Sequence, residues 1–482
     1  MAKILLILPP WYLFLGDGFN EIPVGLCCLA AHLNGHGHET WVYNADFSPG
    51  HRQPAGSLHN AYRSYQEELR TFRHPIWGQV RERIEQLQPD IVGIHFKTGA
   101  IESVRQVARL ARMAAPKCLV VVGGPHPSLM PEETAAFPEF DVVVQGEGEE
   151  TLREVADRYP FGSPHEIAGA IFRYREGRPV RGGTRKLIDN LDTLAAPDHE
   201  HLIDRERYSD FGHGIIMTAR GCPFDCTYCG SKGIWTRRVR YRSAETVTAE
   251  VEHLHEKFGT HYFNFRDDTF TIDRKRTLEI CRLLKQRVPG IAWRCDTRAD
   301  CIDEELAREM RQAGCVQANV GIESGSERIL KMIKKGEGKP QIAQGIACLR
   351  RNRISVSAFI MVGFPTETVE DVMATIDFAT GLRPDFLVLS ILTPYPGTEI
   401  HDSARKRGLI GAELSYSDYF HQSPRMGLMD IPPDVFDALR KRVFARVDAY
   451  NRSLLRKAHR FFLIFAQNPT AAVEKFKSYF SG

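Results

Sequence analysis

The chain has 482 residues, 43% hydrophobic and 26% charged. That composition excludes disordered and fibrous classes and, at roughly 150 residues per domain, suggests about three domains. Lys and Arg number 63 against 60 Asp and Glu, a net charge of +3, so no overall basic field argues for nucleic acid. Eleven cysteines are too few for a disulfide scaffold of this size; clustered ones point to metal or redox chemistry in a reducing cytoplasm.

The elements follow in chain order. Lys3–Leu8 is an apolar run stopped by Pro9-Pro10. It is too short for a secretory leader core or a membrane span and predicts a buried strand. A helix is expected over Ile22–Gly35, with Leu26, Leu29, Ala30 and Leu33 on one face. Then come a strand at Thr40–Asn44, a helix at Trp77–Leu87, a strand at Ile91–Phe96 and a helix at Val104–Ala115. Strands at Cys118–Val122 and Asp141–Val144 and a helix at Glu149–Tyr159 complete residues 1–160. Alternation of this kind predicts right-handed crossovers and a parallel sheet, an α/β Rossmann-like domain.

Residues 161–205 read as a linker. Ala170–Tyr174 and Pro179–Arg181 flank Glu176-Gly177, a hairpin signal. His199 and His201 sit in the polar remainder and read as solvated. Over residues 206–410 the alternation resumes, with strands expected at Gly214–Thr218, Tyr262–Arg266, Ala292–Asp296, Gln317–Gly321, Val356–Met361 and Phe386–Leu392. Six strands suit a partial (β/α)6 barrel. Residues 411–482 predict a helical, basic region. No stretch reaches the roughly 18 apolar residues of a membrane span.

The chemistry concentrates in Gly221-Cys222-Pro223-Phe224-Asp225-Cys226-Thr227-Tyr228-Cys229-Gly230. Gly221, Pro223 and Gly230 argue for a loop rather than a helix. Three thiolates on a loop can each take one iron of a cubane, leaving a fourth iron open. Zinc is the competing metal, but a structural zinc site wants four ligands and no fourth Cys or His lies close by. Three unrelated packing cysteines are the plain alternative.

The spacing C-x3-C-x2-C, with the aromatic Tyr228 before the last Cys, resembles the signature of the radical SAM superfamily. The resemblance implies a [4Fe–4S] cluster on Cys222, Cys226 and Cys229 whose open iron chelates S-adenosylmethionine. One electron then cleaves the sulfonium to a 5′-deoxyadenosyl radical. Later segments resemble the family's strand-end motifs in order. Phe265-Arg266-Asp267-Asp268-Thr269-Phe270 looks like the acidic motif near the methionyl amine. Val320-Gly321-Ile322-Glu323-Ser324-Gly325 looks like the fourth-strand motif, and Phe359–Thr366, with Gly363, like the motif under the adenine. Thr393–Thr398 resembles the end of the sixth strand. S-adenosylmethionine contacts are therefore expected from Tyr228, Asp268, Glu323 and Gly363, and from Arg298 as a partner for a carboxylate. Asp267-Asp268 and Glu323-Ser324-Gly325 can also be ordinary helix caps.

In the first domain, Gly123-Gly124-Pro125-His126-Pro127 follows a buried strand, and paired glycines let a ligand approach the backbone. Gly146-Glu147-Gly148-Glu149 opens a helix, whose N-terminus favours polar or anionic groups. G-x-G-x-x-G is absent there. With Pro9-Pro10 and Pro23-x-Gly25, and with the barrel downstream, these loops resemble the cobalamin-binding domain of B12-dependent radical SAM enzymes. The resemblance implies contacts from Pro10, Thr98, Gly123, Gly124, His126, Gly146 and Glu147. The motif D-x-H-x-x-G does not occur in residues 1–160, and His126 follows the wrong strand to ligate cobalt. Base-off cobalamin without a protein His on cobalt is expected. A side chain of Trp11–Asn20 is expected to cover its lower face.

Asn451–Gln467 is an apolar stretch with Arg452, Arg456, Lys457 and Arg460 on its flank. It is expected either to pack over the barrel mouth or to lie at a membrane surface. Cys27, Cys28, Cys118, Cys281 and Cys348 read as packing residues; Cys295 could reach the barrel lumen. The resemblance implies an enzyme, a cobalamin-dependent radical SAM methyltransferase acting on an unactivated carbon or phosphorus centre. It implies a small-molecule or lipid-like substrate and an external one-electron reductant of flavodoxin or ferredoxin type. Cyclisation, ring contraction or oxidation without methyl transfer is the alternative within this architecture. An iron–sulfur sensing protein is the alternative outside it.

Overall fold

The computed structural model describes residues 1–16, 20–48, 61–158, 166–173, 179–411, 414–467, 469 and 472–473. Two sheets organise the chain. The first contains β1 (Lys3–Leu8), β2 (Glu39–Asn44), β3 (Ile91–His95), β4 (Leu119–Gly123), β5 (Val142–Val144), β6 (Ala170–Phe172) and β7 (Val180–Arg181). Their order is β2-β1-β3-β4-β5-β6-β7. The first five are parallel and the last two antiparallel.

Strands so apolar are buried on both faces. Leu5, Ile7, Val92, Ile94, Val120 and Val122 pack one way, onto the helices Ile76–Leu87 and Ile101–Ala114. Ile4, Leu6, Leu8, Val121 and Val142 pack the other way, onto Val24–Gly35 and Glu149–Arg158. The order 2-1-3-4-5 reverses between β1 and β3, and ligands bind in such sheets at that switch point, beyond the carboxyl ends of the strands.

The hairpin strands expected in the linker are instead the edge of this sheet, because Val142 and Val143 offer β6 a free ladder. The Glu176-Gly177 turn lies outside the described residues. His199 is not solvated: it is buried, 3.0 Å from His213 Nδ1 to Nδ1, and both rings pack on Phe258.

The second sheet comprises β8 (Ile215–Ile216), β11 (Tyr262–Phe265), β12 (Ala292–Thr297), β13 (Cys315–Glu323), β14 (Ser355–Val362) and β15 (Phe386–Ile391). All neighbours are parallel and consecutive, so this is the expected six-stranded partial barrel. A small antiparallel pair, β9 (Ala219–Arg220) with β10 (Arg240–Tyr241), brackets the cysteine loop. The barrel helices start where a short polar side chain caps them. Ser243, Asp273, Asp303, Thr368 and Thr398 each accept a backbone N–H of the first turn. Cys295 does not face the lumen; it is fully buried among the residues that pack barrel strands to helices.

The last region is less helical than expected. Apart from one 3-10 turn at Tyr416–Asp418, its described residues before Pro433 are irregular; helices span Pro433–Asn451 and Leu454–Gln467. The irregular segment runs as a strap between the two halves. Phe420 is fully buried in the core of the first domain, between Tyr62 and Tyr65. The His421 carbonyl accepts the Ile391 N–H (2.6 Å), and the Gly363 carbonyl accepts the Leu428 N–H (2.8 Å).

The final helix does not cover the barrel mouth. Ile464 packs with Tyr262, Ala292 and Val316, at the starts of β11, β12 and β13. It therefore closes the end opposite the cysteine loop. Among the described residues, no helix is long and apolar enough to cross a membrane.

Candidate active site at the junction of the two sheets

The cysteine loop leaves β9 at Gly221, whose φ is +100°. A Cβ there would lie 2.5 Å from the Arg238 carbonyl oxygen, so the turn needs glycine. Cys222 and Cys226 are half-buried and Cys229 is exposed. The Cys229 N–H donates to the Cys226 carbonyl (3.2 Å). The loop is tied to the barrel by Thr227, whose N–H donates to Ile333 and whose carbonyl accepts from Ile400, each at 3.0 Å. Among the described residues, no three His, Cys, Asp or Glu side chains converge on a single ion. A cubane makes no such demand, since each thiolate takes its own iron. The donor set therefore fits a cluster better than it fits mononuclear zinc.

The expected S-adenosylmethionine residues surround this loop. Asp267 and Asp268 divide their work. Buried Asp267 accepts the N–H groups of Thr218 (2.6 Å) and Ala219 (3.0 Å), bracing the strand that leads into the loop. Asp268 accepts from Ser231 Oγ, just past Cys229. Glu323 ends β13 with φ +62° and hydrogen-bonds Tyr228. Lys335 Nζ stands 3.4 Å from Glu323 and 3.4 Å from Glu337. Burial pushes the Cys226 thiol up, while the charges of Lys335 and Arg298 oppose that push.

Arg298 does reach a carboxylate, but it is Asp300 in its own chain, at 2.9 and 2.7 Å. Its remaining Nη1 donates to the Lys335 carbonyl, and its plane covers Phe224 at 3.6 Å. Arg298 is thus bound into the floor of the loop. Lys335 and Glu337 were missed from sequence because they lie in a loop between helices, away from any strand end. Gly363 has φ +98°, and its N–H donates to the buried carboxylate of Glu367 (2.6 Å).

On the first sheet, the loops after β1, β3, β4 and β5 share the switch-point edge. Pro10 leads into Trp11, and the N–H groups of Trp11 and Leu13 donate to buried Asp46 at 2.6 and 2.9 Å. Residues 17–19, part of the stretch expected to cover the lower cobalt face, lie outside the described residues. Thr98 Oγ1 and His126 Nδ1 are 3.1 Å apart, and the His126 ring stacks on Phe96. Burial holds the imidazole down at about 4, so it is neutral, and its Nε2 is left without a partner. Gly124 follows Gly123 with φ +115° against the His95 ring. Gly146, φ +78°, has nothing within 4 Å of a notional Cβ, and its N–H donates to Ser128 Oγ (3.0 Å). The open space over Gly146 lets a ligand approach the backbone at this edge, whereas His126 is buried between Phe96 and Tyr416. Glu147, by contrast, points away from it. Its carboxylate accepts from Arg220 (2.7 Å), Arg240 (2.8 and 2.9 Å) and the Ile188 N–H (2.6 Å).

Comparison with known proteins agrees with this division. Residues 17–156 match the family model described as B12 binding domain, and residues 216–379 match that of the Radical SAM superfamily. An uncharacterized methyltransferase, PH0819 of Pyrococcus horikoshii, is 34% identical over 76% of this chain and 80% of its own length. The anaerobic magnesium-protoporphyrin IX monomethyl ester cyclase of Rubrivivax gelatinosus is 29% identical over 84% of this chain and 72% of its own. The solved structure of the radical S-adenosylmethionine methyltransferase TsrM from Kitasatospora setae shares the fold. Its TM-score is 0.68, at 20% identity over 85% of this chain and 77% of that one. Two matched modules in this order, and a relative this similar over most of both lengths, make the chain a member of the B12-dependent radical SAM enzyme family.

Proposed function

We propose that the protein is a cobalamin-dependent methyltransferase acting on an unactivated carbon or phosphorus centre of a small or lipid-like molecule. The observation that carries this reading is the facing of two loops. The segment around the cysteine loop touches the segments that follow β4 and β5 through Leu129 and the Glu147–Arg240 pair, which supports both cofactors being held at the junction of the two sheets.

When bound, the cluster and cobalamin supply one-electron cleavage of S-adenosylmethionine and a methyl carrier. The chain's own residues bind, orient and exclude water. Cys222, Cys226 and Cys229 are assigned to the cluster. Tyr228, Asp268, Glu323 and Gly363 would hold S-adenosylmethionine, and Lys335, paired with Glu323 and Glu337, would set the charge around Glu323. Arg298 supports Lys335 from below. Pro10, Thr98, Gly123, Gly124, His126 and Gly146 are assigned to base-off cobalamin. In this reading residues 1–160 are the corrinoid module, 161–205 a connector whose hairpin joins the first sheet, 206–410 the radical module and 411–482 the closing segment.

The partners follow from the surface. Lys232 and Arg237, both paired with Asp225, and Arg238, paired with Asp189, leave one net positive charge on the exposed rim beside exposed Cys229. That rim suits an acidic flavodoxin- or ferredoxin-type reductant in the cytoplasm. The last helix exposes Leu454, Leu455, Phe462 and Phe465 beside Arg452 and Lys457, a pattern suited to an anionic membrane surface.

Anaerobic protein reconstituted with iron, sulfide and hydroxocobalamin should hold one cluster and one corrinoid. With methyl-deuterated S-adenosylmethionine and a low-potential reductant that takes the bound corrinoid to Co(I), the corrinoid should acquire the labelled methyl group. An unlabelled corrinoid would sink the methyltransferase reading. It would favour the second one, ring closure or oxidation, which the cyclase-named relative supports. Dithionite should release 5′-deoxyadenosine; none at all would favour a sensing protein. Replacing the three cluster cysteines by Ala should remove the iron.

A further inference from the structure

The strongest contact between the two halves is not at the ligand edge but behind it. Arg220 immediately precedes the cysteine loop, and Arg240 lies across from it on the strand that closes the loop. Both guanidinium groups reach into the first domain. Arg240 Nη1 holds both oxygens of Glu147 and also the Ile188 carbonyl at 2.6 Å. Arg220 holds Glu147 with one Nη and Glu149 with the other. The side chains of Glu147 and Arg240 are only 2% and 1% exposed. Burial alone would raise the pKa of Glu149, but the Arg220 charge outweighs it and holds the carboxyl below its usual range. Both acids belong to the Gly146–Glu149 loop, whose Gly146 faces open space. That loop therefore has two sides, one toward the ligand edge and one toward the base of the cysteine loop.

A second contact fixes the other side of the cysteine loop. Leu129, on the helix that follows Gly124, seats on Gly230, Gly233 and Gly397. A Cβ on Gly233 would come within 2.4 Å of Leu129 Cδ2. The cysteine loop is thus gripped at its base by charge and at its far end by shape, in each case from the segment that follows a β-strand of the first sheet. Nothing in fold closure requires three buried Arg–Glu contacts here; apolar residues of similar volume would serve stability as well or better. What charge-assisted hydrogen bonds add is a fixed geometry.

We propose that Glu147 and Glu149, through Arg220 and Arg240, are positioning residues that set the distance between the cluster and the cobalamin. The inference rests on the function proposed above. It assigns these acids no contact with the reacting atoms. Misplacement on the scale of an ångström is expected to slow the chemistry by about 100-fold.

The test uses the full chain loaded with cluster and hydroxocobalamin and reduced to the paramagnetic states of both. Dipolar electron paramagnetic resonance then reads the distance between them. The variants are Glu147→Gln, Glu149→Gln and the double variant Glu147→Gln/Arg240→Gln. The double variant removes the stranded buried charge, so it keeps the fold where the single one loses it. The wild-type protein should give one narrow distance, and each variant that retains both cofactors should give a broader or shifted one. A wild-type-like distance in the double variant, with both cofactors bound, overturns the proposal. Failure of the wild-type chain to bind either cofactor would instead refute the functional reading beneath it.

Discussion

At the scale of single residues, two positions couple conformation to chemistry. Glu367 accepts the N–H groups of Gly363 and Phe364 through Oε2, and its buried Oε1 has no partner. Burial pushes its carboxyl up from 4.5 to about 8. The folded chain keeps this proton over a range where the unfolded chain has released it. Its contribution is therefore fully present below about pH 4.5 and lost as pH rises through about 8. Glu367→Gln keeps the acceptor and removes the titration. Between pH 5 and pH 8, urea unfolding should show the variant gaining about 3 kcal/mol on the wild type; a constant difference would mean that Glu367 is ionised in the folded chain. Gly221 is the other position. Gly221→Ala places a Cβ in the left-handed region against the Arg238 carbonyl, at a cost of about 2 kcal/mol. Iron bound per chain after reconstitution should fall, although no cysteine has changed.

At the scale of elements, the last helix has two faces with different consequences. Ile464 plugs the barrel end, and Ile464→Ala should cost about 3 kcal/mol in thermal or denaturant unfolding. Phe462 is 64% exposed. Phe462→Asp should change stability by no more than about 0.5 kcal/mol, yet reduce co-flotation with vesicles rich in anionic lipid. Equal recovery of variant and wild type would remove the membrane contact. The elements themselves were largely legible in the sequence. Buried parallel strands are continuous apolar runs, and every predicted strand of both sheets is found within a few residues. The short helix Pro125–Leu129 was hidden because glycine and two prolines read as a turn, although proline is at home in a first helical turn. The hairpin strands were seen, but not their sheet, because pairing is not written in local pattern. The cysteine loop was legible because its chemistry is local. Lys335 was not, since it lies in a loop between helices away from any strand end, nor was the ionic role of Glu147, whose partner Arg240 is 93 residues away.

At the scale of the whole molecule, the strap makes the two halves one cooperative body. Phe420 belongs to the closing segment but fills the first domain, while Met426 and Leu428 pack into the barrel core. Phe420→Ala should cost about 4 kcal/mol. Calorimetry should show wild-type unfolding as a single transition that moves to lower temperature in the variant. Two separate wild-type transitions would contradict this. The strap also bears on how the chain is made. Tyr62 donates to Asp418 across 356 residues of sequence. A ribosome delivers the first sheet early, and domains generally fold in that order. Here the nascent first domain waits with an empty aromatic slot until the chain has been synthesised through Phe420. Until Phe420 emerges, that slot is a place where a chaperone, or a neighbouring nascent chain, can bind instead.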